Sequence, residues 1–181
     1  REFDGTYSAE HPLMAKIFKW SLSSAGLIFA QNETDAKNVY KTTGRRAIMI
    51  PNGHRPSQTN IAQKKTVLWV GRSAKVKNPY CFLKLAQSFP EIPFTMISQR
   101  ATGDNDYDKL VTESKKIKNV EFLESVPFKE IENYFAKAKV LINTSDSEGF
   151  PNTFIQACKT STPILSLNVN PDNFLDKFNC G

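Results

Sequence analysis

Short apolar runs alternate along this chain with segments of helical periodicity, and that order predicts an α/β fold, a parallel sheet flanked by helices and buried on both faces. Two further observations agree. The runs are short enough for strands, and glycine or proline marks many of the element ends, as at Gly44, Pro51, Gly71, Pro79 and Pro163. The 181 residues, 40% of them hydrophobic, suffice for one good core, or for one core and part of another.

Residues 1–8 are polar and without period. From about Pro12 to Ser24, Leu13, Ile17 and Trp20 share a face with Met14, Phe18 and Leu22 beside it, while Lys16 and Lys19 point away. The spacing predicts an amphipathic core helix, with a membrane-surface helix as the lesser reading. Leu27–Ala30 reads as a buried strand. A helix from about Thr34 to Thr43, opened by Asn32 or Glu33-Thr34 and ended by Gly44, leads to a strand at Ala47–Ile50, stopped by Pro51. After a polar linker at 53–65, strands are expected at Thr66–Val70, Phe94–Ser98, Val120–Leu123, Val140–Ile142 and Pro163–Leu167. Helices are expected at Pro79–Ser88, Asp106–Lys116, Phe128–Ala138 and from Asn152. Three regions follow: 1–52, the linker 53–65, and 66–181. The opening Arg1 without a Met and the close at Cys180-Gly181 after a helical pattern suggest a piece of a longer protein.

Charge and cysteine usage narrow the classes. The net charge is +6, spread in pairs such as Arg45-Arg46, Lys64-Lys65 and Lys115-Lys116, which read as a solvated basic surface. No basic stripe interleaves with aromatics and no nucleic-acid-binding motif occurs, so no nucleic acid partner is expected. No apolar run approaches the roughly 20 residues of a membrane span. Cys81, Cys158 and Cys180 form no C-x-x-C pair and read as small core residues in a reducing compartment, hence a cytoplasmic location, with peripheral membrane contact as the lesser option. His11 and His54 make no ligand cluster, and Asp104, Asp106 and Asp108 in the polar loop 100–108 lack the rest of a calcium loop. No metal is expected.

The chemistry concentrates in Asn143–Cys158. The apolar Val140-Leu141-Ile142 precedes it, and Phe154, Ile155, Ala157 and Cys158 fit a helix after it, so the stretch reads strand, polar loop, helix. Gly149 is expected to take a backbone conformation closed to other residues, and Pro151 suits the first helical turn. Such a helix start offers free N–H groups and a dipole end to phosphate or sugar oxygens. Glu148 stands at its mouth, and Gln156 lies in the helix; both side chains can hold paired hydroxyls. In an open parallel sheet, ligands gather beyond the carboxyl ends of the strands, where Gly71, Arg72 and Ser73 follow one strand and Ser145–Asn152 another. Gly71 would let backbone approach a phosphate, Arg72 can make two parallel bonds to it, and Lys77 adds a point charge. Taken alone, these basic residues read more often as surface charge than as a site; meeting Glu148 on one edge reverses that.

These residues carry a resemblance. Ser145-x-x-Glu148-Gly149-Phe150-Pro151-Asn152, with a polar residue at 156 and then Ala157, resembles the E-x7-E region of the family 4 retaining glycosyltransferases of GT-B fold. Val70-Gly71-Arg72 with Lys77-Asn78-Pro79, Ile50-Pro51-Asn52-Gly53, Val120-x-Phe122 leading to Val126-Pro127, and Thr162-Pro163-Ile164-Leu165 are similar to further family motifs in the same order, over about residues 45–181. The resemblance implies a Rossmann-like C-terminal lobe, truncated, with a remnant of the N-terminal lobe in 1–52. It implies a hexosyltransferase that moves a sugar from a nucleotide diphosphate sugar to a saccharide or lipid-linked acceptor with retention. Neither cofactor nor metal is implied, the nucleotide sugar being substrate. Glu148, Arg72 and Lys77 would be catalytic, with Gly71, Ser73, Gly149, Phe150, Pro151, Asn152, Gln156 and Val126 binding the donor. Val126 and Pro127 lie where the family packs the nucleobase, and an ordinary helix entry reads the same way.

The chain departs from the pattern at Gln156, where the family has a second acid, and at Glu124, Ser161 and Ser98-Gln99-Arg100, where it has glycines. Two other classes stay open: a non-catalytic nucleotide-sugar-binding module, favoured by Gln156, and a sugar-nucleotide epimerase of the same fold. Without its missing N-terminal lobe, the piece is expected to bind donor and not to turn it over.

Overall fold

A computed structural model describes residues 9, 11–56 and 63–181. The polar start 1–8 and most of the expected linker, at 57–62, lie outside the described residues. Two compact units emerge, Arg1–Gly53 and His54–Gly181.

In the first unit, α1 (Pro12–Ser24) precedes β1 (Phe29–Ala30), α2 (Glu33–Thr43) and β2 (Ile48–Met49), and the two strands pair in parallel. Asn32 caps α2 by accepting from the Asp35 N–H at 2.7 Å, and Gly44, at φ 71°, ends it through an N–H bond to the Tyr40 carbonyl. The strands are shorter than expected, because two residues of each complete the pairing. The expectation of α1 as a core helix is corrected: no residue of it is buried, and Leu13 and Trp20 are each 69% exposed. A two-stranded sheet is too small to cover that face. Arg45, which its sequence setting marks as solvated, donates to the carbonyls of Leu22, Ser23, Ala25 and Gly26, the open end of α1.

The second unit is a five-stranded parallel sheet in the order β5-β4-β3-β6-β7, made of β3 (Thr66–Arg72), β4 (Phe94–Gln99), β5 (Val120–Leu123), β6 (Ala138–Asn143) and β7 (Ile164–Ser166). Its helices are α3 (Pro79–Ser88), α4 (Tyr107–Lys115), α5 (Ile131–Lys137), α6 (Asn152–Lys159) and α7 (Phe174–Lys177), with a 3₁₀ turn at Lys75–Lys77. Two residues per side alternate along β3 and build two cores. Val67 and Trp69 pack with Phe82, Leu83, Phe94, Met96 and Leu110, under α3 and α4. Leu68 packs with Phe135, Leu141, Phe154 and Ala157, under α5 and α6. The helix expected from Phe128 begins only at Ile131, since a turn closed by Glu130 N–H on the Pro127 carbonyl precedes it.

The strand order reverses between β3 and β6. Chain from β3 proceeds outward through β4 and β5, then returns to β6 and moves the other way to β7. The carboxyl ends of β3 and β6 therefore flank a crevice that no crossover covers.

Candidate functional site

Residues at that fork arrive by short, tied routes. After β3 the chain makes the 3₁₀ turn Lys75–Lys77, and Asn78, at φ 48°, swings it into α3, which Pro79 opens. Asparagine tolerates this left-handed backbone, and a residue before proline is unsuited to ordinary helical geometry. The Lys77 carbonyl accepts from Thr144 Oγ1 at 2.7 Å, and Thr144 in turn accepts from the Trp69 indole N–H at 2.9 Å. A second tie joins the loops, the Asp146 N–H on the Val76 carbonyl at 2.9 Å. Gly71 has a structural reason of its own: a Cβ there would stand 2.9 Å from the Trp69 ring.

Glu148 is the centre of the polar network. Lys77 Nζ lies 2.6 Å from Oε2, Ser145 Oγ donates to Oε1 at 2.6 Å, and Asn143 Nδ2 donates to the same oxygen at 2.9 Å. Asn143 is itself oriented, accepting at Oδ1 from the Ser145 N–H and from Ser166 Oγ on β7. Burial alone would push the Glu148 carboxyl up; the bonds from Lys77, Ser145 and Asn143, with the lysine charge, overcome it and hold the group below its ordinary range. The glutamate is thus ionised and already satisfied on three sides.

A cleft of about 380 Å³ opens beside this network, lined by Val70, Gly71, Arg72, Lys77, Ile97, Gln99, Val126, Ile131, Glu148, Phe150, Asn152 and Thr153. The structure brings together most of the residues singled out in the sequence: Arg72, Lys77, Glu148, Gly71, Val126, Phe150 and Asn152 all face it. Arg72 is exposed and has no hydrogen bond or ion pair among the described residues. Phe150 also anchors its loop, edge-on to Phe174 of α7 at 5.1 Å. His54 approaches from the chain side, 3.4 Å from Asn152 Oδ1.

Other expected residues stand elsewhere. Ser73 is buried and its Oγ accepts from the Ala101 N–H at 3.0 Å, fixing the loop after β4. Gln156 does not line the cleft, and neither do Gly149 and Pro151. The special backbone expected of Gly149 is corrected, since among the described glycines only Gly44 and Gly103 are left-handed. Pro151 sits one place before the first helical turn, at the N-cap of α6, because Asn152 already has helical geometry. Loop 100–108 is tied down: Arg100 pairs with Asp108 at 2.5 Å and covers the Tyr107 ring, 4.6 Å from its centroid. Asp104, Asp106 and Asp108 therefore do not gather as a metal cluster among the described residues.

Asn143 and Thr144, which belong to the singled-out stretch but were given no role in it, and Trp69, which stood in no motif, hold the Lys77–Glu148 network in place. A polar residue closing an apolar strand was the available signal for Asn143.

Fold and family define the class: a Rossmann-like lobe of a GT-B glycosyltransferase, with a cleft at the β3–β6 fork. The chain belongs to the glycosyl transferases group 1 family, which matches residues 53–172. It is 25% identical over 122 residues to spore coat protein SA of Bacillus subtilis, a match spanning 62% of this chain and 32% of that protein. Among solved structures, a TarM mutant of S. aureus in complex with fondaparinux, alpha-GlcNAc-glycerol and UDP superposes with a TM-score of 0.72 at 13% identity, over 90% of this chain and 34% of that one. An E. coli trehalose-6-phosphate protein bound with UDP-2-fluoro glucose gives 0.67 at 13%, over 87% and 49%. The chain thus spans about a third to a half of the length of these relatives.

Proposed function

We propose that this chain is the donor-binding part of a retaining glycosyltransferase that moves a sugar from a nucleotide diphosphate sugar to a saccharide or lipid-linked acceptor, without a metal ion. One observation carries the reading: Arg72, Lys77 and Glu148 converge on a single cleft at the fork of the sheet. The UDP bound to TarM and the UDP-2-fluoro glucose bound to the E. coli relative support the class of donor.

As the bond from the anomeric carbon to the diphosphate breaks, positive charge grows on the ring and negative charge on the departing oxygen. Arg72, unpaired among the described residues, can take two phosphate oxygens in parallel, and Lys77 and the first N–H groups of α6 add positive potential to the same region. Charge arranged in advance where the oxygens become more negative lowers the barrier without reorganisation. Glu148, an acceptor in its ionised form, holds sugar hydroxyls. With the diphosphate leaving on the face where the acceptor enters, one of its oxygens receives the acceptor proton and configuration is kept. The acceptor, and the closing wall of the cleft, belong to a fuller N-terminal lobe. The exposed Leu13, Ile17 and Trp20, with Lys16 and Lys19 on the same helix, support a peripheral membrane contact, and the free cysteines support a cytoplasmic location.

A thermal-shift screen with UDP, GDP and ADP sugars tests the reading, and a ligand-dependent rise is expected. No shift with any of them overturns it. The chain alone should bind donor at roughly micromolar to millimolar affinity and not transfer, because it lacks the proximity that accounts for roughly 7–11 kcal/mol of barrier lowering. Robust transfer by the chain alone overturns the assignment of its lobes.

A further inference from the structure

The cleft does not end at Val126. Gln99, at the carboxyl end of β4, also lines a second cavity of about 510 Å³, whose walls include Arg100, Tyr107, Asp108, Glu124 and Ser125. Gln99 borders both spaces, so a ligand with its phosphates at Arg72 and Lys77 can extend past it into the second cavity.

Most polar groups around this cavity are already engaged. Arg100 is held by Asp108 and by the Tyr107 ring, and the Tyr107 hydroxyl donates to the Ser98 carbonyl at 2.9 Å. Burial raises the Tyr107 pKa, and the charge of Glu124, which lines the same cavity, adds to it. Glu124 itself is exposed, with no hydrogen bond or ion pair among the described residues, and the Gln99 amide has none either. Among the described residues the cavity therefore offers one carboxylate with no bond, an acceptor only, one amide with a donor to spare, and the Ser125 hydroxyl, which can do either.

Resting on the donor reading above, we infer that Glu124, assisted by Gln99, selects guanine as the base of the nucleotide sugar. A carboxylate accepts two parallel bonds, and it needs a ligand edge with two donors side by side. Guanine has that edge in N1–H and the exocyclic amino group, and its O6 beside them takes a donor such as the Gln99 amide. Uracil sets its one N–H between two carbonyls, and adenine and cytosine place a bare ring nitrogen beside the amino group. Each of these turns a lone pair toward the carboxylate, and a mismatch of this kind discriminates more strongly than a lost contact.

Calorimetry on the full chain with GDP, UDP and ADP tests the inference. GDP should bind tighter than UDP by on the order of tenfold to a hundredfold, the range of a bidentate base contact. Glu124→Gln should pull GDP back toward UDP while leaving UDP unchanged; Glu124 is exposed and unpartnered, so an unaltered melting temperature should verify that the variant is folded. Tighter binding of UDP or ADP than of GDP overturns the guanine assignment and leaves the donor reading standing. Equal loss of all three in the variant also overturns it, since Glu124 would then serve the ribose or the fold. If none of the three binds, the donor reading falls and this inference with it.

Discussion

Replacing Glu148 by Gln separates the two partners that the carboxylate serves. The substitution keeps the shape and removes the charge that Lys77 meets at 2.6 Å, while the new amide nitrogen meets donors from Lys77, or from Ser145 and Asn143. The Lys77 and Glu148 side chains retain 25% and 14% of their exposure. We therefore expect a loss of about 1.5–3 kcal/mol of stability, below the ~3–5 kcal/mol of a fully buried broken pair. Binding should change in opposite directions. A bare nucleoside diphosphate should bind tighter by about threefold to tenfold, roughly 0.7–1.4 kcal/mol, because Lys77 no longer has to leave a partner. The sugar nucleotide should bind more weakly, since its hydroxyls lose the charge and one of the two oxygens that accepted from them. Chemical denaturation and calorimetry with GDP and UDP, free and sugar-linked, measure all three quantities. Parallel loss of both ligand types would refute the reasoning and make Glu148 a purely structural residue. The wild type has a matching pH signature. The carboxyl is held below its unfolded pKa, so its stabilising contribution is present above the ordinary glutamate range and is lost as pH falls through the lower folded value.

Arg72→Ala should leave stability unchanged, because the guanidinium is exposed and unpaired, and weaken nucleoside diphosphate binding by about 1.5–3 kcal/mol with a shallower salt dependence; unchanged affinity by calorimetry would remove Arg72 from the site. Thr144→Val leaves the buried Trp69 N–H and the Lys77 carbonyl without their partner, so denaturation should report a loss of about 1–3 kcal/mol and calorimetry a weaker diphosphate. A variant as stable as the wild type would show that the relay is dispensable. Ser161→Gly should stabilise by about 1 kcal/mol, since Ser161 holds φ 51°, where a side chain is strained; a melting temperature that does not rise counts against strain at this turn.

Much of the second unit was legible because its signals are local. Pro79 opens α3 where expected, and Val120–Leu123 is bounded as its apolar run suggests. Arg72, Lys77 and Glu148 could be brought to one edge because a parallel sheet sends all its strand ends the same way. What the residues do there was not legible. The Lys77–Glu148 pair joins loops far apart in sequence, and nothing in either motif says that each neutralises the other before a ligand arrives. Gln156 was placed by its distance from Glu148 along the chain, but residues 148–151 are irregular, so spacing carries no direction for the side chain. The ties of loop 100–108 were equally invisible, because Ser73 and the Arg100–Asp108 pair act through space. Ser161 shows the converse: the missing glycine seen in the sequence falls at a left-handed residue.

The chain has two tryptophans, and they differ sharply: Trp20 is 69% exposed and Trp69 only 2%. Trp69 is hydrogen-bonded through Thr144 to the backbone of Lys77, so its indole is coupled to the loop proposed to meet the diphosphate. Iodide or acrylamide should quench the Trp20 emission first and leave a blue-shifted residue from Trp69. Titrating ligand into that quenched sample makes the protein its own fluorimeter, with no label attached and with the signal arising two hydrogen bonds from the Lys77 backbone.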